Sequence, residues 1–175
     1  ALFAWIPERV NLWSSILQEE IAPSEYRYMR IGHRGARAYA PDNTLTSFKK
    51  AIELDVDFSE LDIHLTADGK IAVIHDDILR TNDGQLLKVH EHTLEELQRV
   101  DLGNGERVPE LKEVLALAIN SFMGLLIEIK DGRVIPQLVE QLSEPWMKDL
   151  VMVSSFRTDW VAEFKAAAPR IPTAV

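Results

Sequence analysis

Four short groups of polar residues in this sequence each sit in or at the end of an apolar run. They are His33 with Arg34, Glu60 with Asp62, His75 with Asp76, and Glu128 with Lys130. Three converging carboxylates, Glu60, Asp62 and Glu128, repel one another unless a cation sits among them. Their oxygen donors select a hard ion, so one divalent cation, Mg2+ or Ca2+, is expected there. Arg34 and Lys130 beside that ion would bring positive charge to a phosphate. His33 and His75 could act as general base and general acid, in either order. Together these groups suit hydrolysis or cyclisation of a phosphodiester, with the ion stabilising charge on the phosphoryl oxygens.

Each group also has a plainer reading. A lone histidine at a strand end is usually structural, and His64, His90 and His92 are read that way. Glu128 with Lys130 alone could be a surface pair of small worth. Glu60 and Asp62 could mark the wet face of an edge strand, but Phe58, Leu61, Ile63 and Leu65 around them require burial. The joint pattern favours chemistry.

The elements that must position these residues alternate. Strands are expected at Arg30–Arg34, Phe58–Leu65, Ile71–Ile74, Leu125–Ile129, Leu150–Ser154 and from Ile171. Helices are expected at Asn43–Leu54 with Asn43 as N-cap, after Thr93 with Glu96 closing a capping box, and at Leu111–Ile119, Val134–Leu142 and Asp159–Ala168. Ala67-Asp68-Gly69-Lys70 carries a turn signature. Strand–helix alternation implies parallel strands joined by crossover helices. A doubly wound sheet and a (β/α)8 barrel both fit, although no G-x-G-x-x-G follows the first strand. Residues i and i+2 of a strand share a face, so Glu60 projects with Asp62 and Glu128 with Lys130. In a barrel the strand C-terminal ends gather at one mouth.

Composition narrows the classes. The 175 residues are 46% hydrophobic and carry a formal net charge of −9, which suits one globular domain and not a nucleic-acid binder. Without any cysteine, disulfides, thiolate metal sites and thiol nucleophiles drop out. No run of apolar residues is long enough for a transmembrane helix, and no signal peptide is evident, so a cytoplasmic location is expected. Residues 1–29 read as a helical preamble, with Val10, Trp13, Ile16 and Leu17 at helical spacing. Its aromatics Phe3, Trp5 and Trp13 leave membrane association open.

Gly32-His33-Arg34-Gly35, then Pro41-Asp42-Asn43-Thr44 and Phe48, resemble the start of the glycerophosphodiester phosphodiesterase family. The resemblance continues through Glu60-Leu61-Asp62, Thr66-Ala67-Asp68-Gly69, His75-Asp76, Arg80-Thr81, Pro109-Glu110-Leu111 and Glu128-Ile129-Lys130. It implies a (β/α)8 TIM barrel over residues 30–175, with a small insertion at about 77–108 covering part of the mouth. It implies His33 and His75 as the catalytic pair, Glu60, Asp62 and Glu128 as metal ligands, and Arg34 and Lys130 near the substrate phosphate. The implied reaction is metal-dependent hydrolysis of a small-molecule glycerophosphodiester to glycerol 3-phosphate and an alcohol.

Three features depart from the family pattern. Asp42 stands where Glu is usual, and Asp55 where Gly is common. The length is the third: a barrel of this kind takes about 250 residues, and we count six strands here, so the barrel is expected to be truncated after about six. Two competing readings stand beside the main one. A lysophospholipase D would take membrane lysolipids, and a non-catalytic binding barrel would have no need of the full polar set.

Overall fold

The computed structural model describes residues 29–175, and the expected helical preamble lies outside them apart from Met29. Strand β1 (Ile31–Gly32) leads through a turn to helix α1 (Leu45–Glu53), then to β2 (Phe58–Leu65) and β3 (Ile71–Val73). A separate hairpin, β4 (Ile78–Arg80) and β5 (Leu86–Lys88), precedes the short helix α2 (Leu94–Leu97). Helix α3 (Leu111–Ser121), β6 (Gly124–Ile129), α4 (Ile135–Gln141), β7 (Val151–Ser154), α5 (Thr158–Ala167) and β8 (Thr173–Ala174) complete the order.

The main sheet has six strands, with β1, β2, β6, β7 and β8 parallel in that order. This is the α/β architecture expected, with one correction. β3 is not a crossover-connected parallel strand. It returns antiparallel along β2, with Ile63 opposite Val73 and Leu65 opposite Ile71. The Asp68-Gly69 turn explains why: the five residues from Thr66 to Lys70 are enough for a hairpin but far too few for a crossover. The all-apolar run of β3 arises because both its faces are covered: Ile71 and Val73 join the core with Leu111 and Val114 of α3, while Ala72 faces the satellite core under the insertion.

Burial follows the periodicities. Leu61 and Ile63 of β2, with Leu125, Ile127 and Ile129 of β6, face the helices and are fully buried. Phe48 and Ala51 of α1 and Leu111, Val114 and Ala118 of α3 pack against them at helical spacing. A satellite core forms under the insertion from Ala72, Leu79, Val89, Leu97 and Val108. On the opposite face of the sheet, Phe58 fills the layer below Glu60. Gly124 makes this possible, because a Cβ there would run into the Phe58 ring.

Helix starts differ in one instructive place. Thr44, not Asn43, caps α1 by accepting the Ser47 N–H at 3.2 Å. Asn43 lies in the left-handed region, with φ 56°, and its side chain is used elsewhere. The Thr93–Glu96 capping box forms as expected, with both reciprocal bonds present. Asp55 also has a left-handed backbone, with φ 52°, at the position where glycine was the expected residue. No helix among the described residues is long and apolar enough to cross a membrane.

Candidate active site

β2 organises the site. Glu60 and Asp62 project from one face of it, and Asp62 pairs in register with Glu128 of β6, so all three carboxylates stand on the same side of the sheet. One oxygen from each can be chosen so that all lie within 4.8 Å of one another, the one such metal-competent group among the described residues. Asp62 is 1% exposed and Glu60 7%.

The segments that carry the two histidines lie along one edge of β2. β6 occupies the other edge through Ile63. β1 pairs with β2 only as far as Ser59, and the returning β3 takes up the same edge from Leu65 back to Ile63. The stretch between belongs to the turn after β1 and to the end of the β3 arm: Gly35 N–H donates to the Glu60 carbonyl at 3.2 Å and Ile74 N–H to the Asp62 carbonyl at 3.0 Å. His33 follows β1 and His75 follows β3, so they approach Glu60 and Asp62 from opposite directions. The expectation of two parallel strand ends is thus corrected to one parallel strand and one returning arm.

A tight turn at Arg34 and Gly35 shapes the floor. Both residues have positive φ, 52° and 81°. The Arg34 N–H donates to Glu60 Oε2 at 2.8 Å. The Arg34 guanidinium donates to Asp42 at 2.9 Å and lies 3.4 Å from Asp62. Lys130 donates to Glu128 at 2.8 Å and lies 3.5 Å from Asp62. Its ammonium also lies 5.9 Å from the Phe156 ring centroid. Burial opposes the charge on Lys130, but the bond to Glu128 and the nearby Asp62 outweigh it and raise its pKa. Arg34 is held charged in the same way by Asp42, Asp62 and Glu60.

Glu60 is left short of positive charge. Its Oε1 is buried with no hydrogen-bond partner, and His33 Nε2 stands 3.7 Å from Oε2. Burial, then the charge on Asp62, push its pKa up to about 7, with the Arg34 N–H pulling only partly back. An orphaned buried carboxylate oxygen among two more carboxylates is what a divalent cation would satisfy. The all-oxygen donor set fits a hard ion and offers nothing to a thiophilic one.

His33 is lowered below the usual histidine value by partial burial and then by Arg34 and Arg37. His75 Nδ1 lies 2.7 Å from Asp76. His33, Arg34, Glu60, Asp62, Glu128 and Lys130 therefore lie in one contiguous network, with His75 at its rim. Arg34 and His75 both line a cavity of about 480 Å³ between this turn and the β4–β5 hairpin.

Sequence reasoning missed one member, Asn43. Asn43 donates from Nδ2 to Asp62 at 2.9 Å, and its own oxygen accepts the Asp62 N–H at 3.4 Å. Its position in a Pro-Asp-Asn-Thr run resembled a helix cap and concealed this. His64, read as structural, shares the face of Glu60 and Asp62, and its Nε2 lies 3.0 Å from the His75 carbonyl oxygen, a contact to backbone that fits a structural part.

Residues 33–175 match the family model described as "Glycerophosphoryl diester phosphodiesterase family". The chain is 37% identical over 154 residues to a glycerophosphodiester phosphodiesterase of Caldanaerobacter subterraneus subsp. tengcongensis, covering 81% of this chain and 63% of that one. It is 35% identical over 159 residues to a glycerophosphodiester phosphodiesterase of Bacillus altitudinis, covering 83% and 64%. A phosphodiesterase of Oleispira antarctica, solved in complex with the product sn-glycerol-3-phosphate, superposes with a TM-score of 0.76 at 32% identity, covering 83% of this chain and 64% of that one. The chain thus spans a little under two thirds of the length of each.

Proposed function

The chain belongs to the glycerophosphoryl diester phosphodiesterase family, and from that membership we propose that its site hydrolyses glycerophosphodiesters to sn-glycerol 3-phosphate and an alcohol. The observation that carries the reading is the orphaned, buried Glu60 oxygen in a cluster with Asp62 and Glu128, with His33 3.7 Å from the other Glu60 oxygen.

Glu60, Asp62 and Glu128 would hold one divalent cation, Mg2+ or Ca2+. Bound there, the ion supplies positive charge to the phosphoryl oxygens. Lys130 and Arg34, both kept protonated by the same carboxylates, add fixed positive charge at the rim. One histidine takes the proton of the attacking hydroxyl as its oxygen bonds to phosphorus. The other gives a proton to the departing alcohol oxygen as its bond to phosphorus breaks. The attacker is water, or the glycerol hydroxyl of the substrate; the second route forms a cyclic phosphate that water then opens, with the histidine roles exchanged. Asn43 and Arg34 orient Asp62, and the Arg34 N–H orients Glu60.

His33→Ala and His75→Ala are each expected to lower glycerol 3-phosphate release by about 10²–10⁴-fold. Far-ultraviolet circular dichroism and stabilisation by Mg2+ or Ca2+ should persist in both. Full turnover in either variant removes that histidine from the mechanism. A wild-type protein with no turnover at saturating cation removes the reading itself.

A further inference from the structure

The cavity beside His75 has a second wall that the proposed chemistry does not use. β4 and β5 pair antiparallel, with Arg80 opposite Leu86, and Ile78 two residues before Arg80 on the same face. Ile78, Arg80 and Leu86 all line the cavity. Ile78 is 39% exposed and Leu86 56%. Their hairpin partners on the other face, Leu79 and Leu87, pack into the satellite core and fix the wall in place.

The charges around this cavity are unequal in one respect. Arg34 is engaged by Asp42 and Asp62. Asp42 is engaged by Arg34, and Asp76 by His75 at 2.7 Å. Among the charged residues lining the cavity, only the Arg80 side chain makes no hydrogen bond or ion pair with another described residue. A free guanidinium between two apolar side chains is suited to an anionic group carried on a short hydrocarbon spacer.

We propose that Ile78, Arg80 and Leu86 form a subsite that selects substrates whose leaving alcohol bears a carboxylate or phosphate. The inference rests on the hydrolase reading. The glycerol half of a glycerophosphodiester is uncharged and common to the whole class, so it offers the guanidinium nothing to pair with. The phosphodiester charge is met in the proposed chemistry by the cation, Arg34 and Lys130, so the variable alcohol is the half that can bring a further charge. The general field of the protein opposes this choice, because a net charge of −9 repels anions. A preference for an anionic alcohol therefore requires a local cation, and Arg80 is the unpaired one available.

Three sn-glycerol 3-phosphate esters of similar length test this: those of 3-hydroxypropanoate, glycerol and ethanolamine. The wild-type chain, with saturating Mg2+ or Ca2+, is expected to rank them in that order by kcat/KM. R80Q should reduce the anionic-to-cationic preference roughly tenfold, and R80E should invert it. R99Q makes the same charge change just after α2, outside the cavity lining, and should leave the ranking in place. The proposal is overturned if the ethanolamine ester ranks first or equal in wild type, or if R80Q and R99Q move the ratio alike. Thermal stabilisation by each ester, read in parallel, ranks their binding without turnover. If no ester releases glycerol 3-phosphate, the hydrolase reading fails, and the binding ranking still decides the role of Arg80.

Discussion

At Glu60, one carboxylate oxygen accepts the Arg34 N–H while the other is buried and unpartnered beside Asp62. Its pKa is pushed from the ordinary 4.5 to about 7 by burial and by Asp62. Between those values the folded, ion-free protein holds a proton that the unfolded chain has released. Stability should therefore fall as pH rises from about 4.5 through 7, by about 3 kcal/mol at most from this residue. Glu60→Gln is expected to flatten that part of the curve. At pH 8 in EDTA the variant should melt above wild type. Saturating Mg2+ or Ca2+ should reverse the order, since wild type gains about 2.7 kcal/mol at one hundred times Kd and the variant loses a ligand. Thermal melts at pH 5 and pH 8, with and without cation, check both halves; parallel curves for the two proteins would sink the assignment. The residue types of the site were legible in the sequence because carboxylates and histidines in or beside apolar runs have little structural use. Asn43 was not, because an Asn before a helix has an equally good local explanation.

Among the elements, the turn after β1 is the most constrained. Gly35 has φ 81°, and a Cβ there would collide with Ser47 of α1. Gly35→Ala should cost more than about 2 kcal/mol, combining left-handed strain with that collision. It should also weaken cation stabilisation, because the Arg34 N–H that orients Glu60 sits in the same turn. Gly84, with φ 88° and open space around it, provides the contrast: Gly84→Ala should cost about 1 kcal/mol. Chemical denaturation of both variants measures the difference, and equal costs would mean the Ser47 contact is slack. The hydrophobic periodicity showed β2, β6, α1 and α3 nearly to the residue, because each buries one clear face. It could not show the direction of β3, since an apolar run reads the same in a parallel strand and in a covered hairpin arm. The β4–β5 hairpin escaped notice for a related reason: three-residue strands are too short for a period to register.

On the scale of the whole molecule, the parallel path β1-β2-β6-β7-β8 ends in two strands with no further partner among the described residues. A closed eight-stranded barrel has no such edges. The 175-residue chain alone is expected to associate as its concentration rises, and sedimentation velocity would show it. Thr173→Lys, which places a charge on β8, should shift the distribution back toward monomer. A wild-type chain monomeric throughout would contradict this. The α/β class was legible from strand–helix alternation and the barrel from the family resemblance, whereas edge pairing is a property of tertiary closure that no local pattern carries. The antiparallel return of β3 has one further consequence. It places Glu60, Asp62 and His75 within sixteen consecutive residues, all joined by one hairpin register. That half of the centre has low contact order and can assemble as soon as this segment leaves the ribosome. Glu128 must close a far longer loop, so the docking of the third carboxylate, and not the geometry of the first two, would set when the nascent polypeptide first offers the proposed cation its full set of ligands.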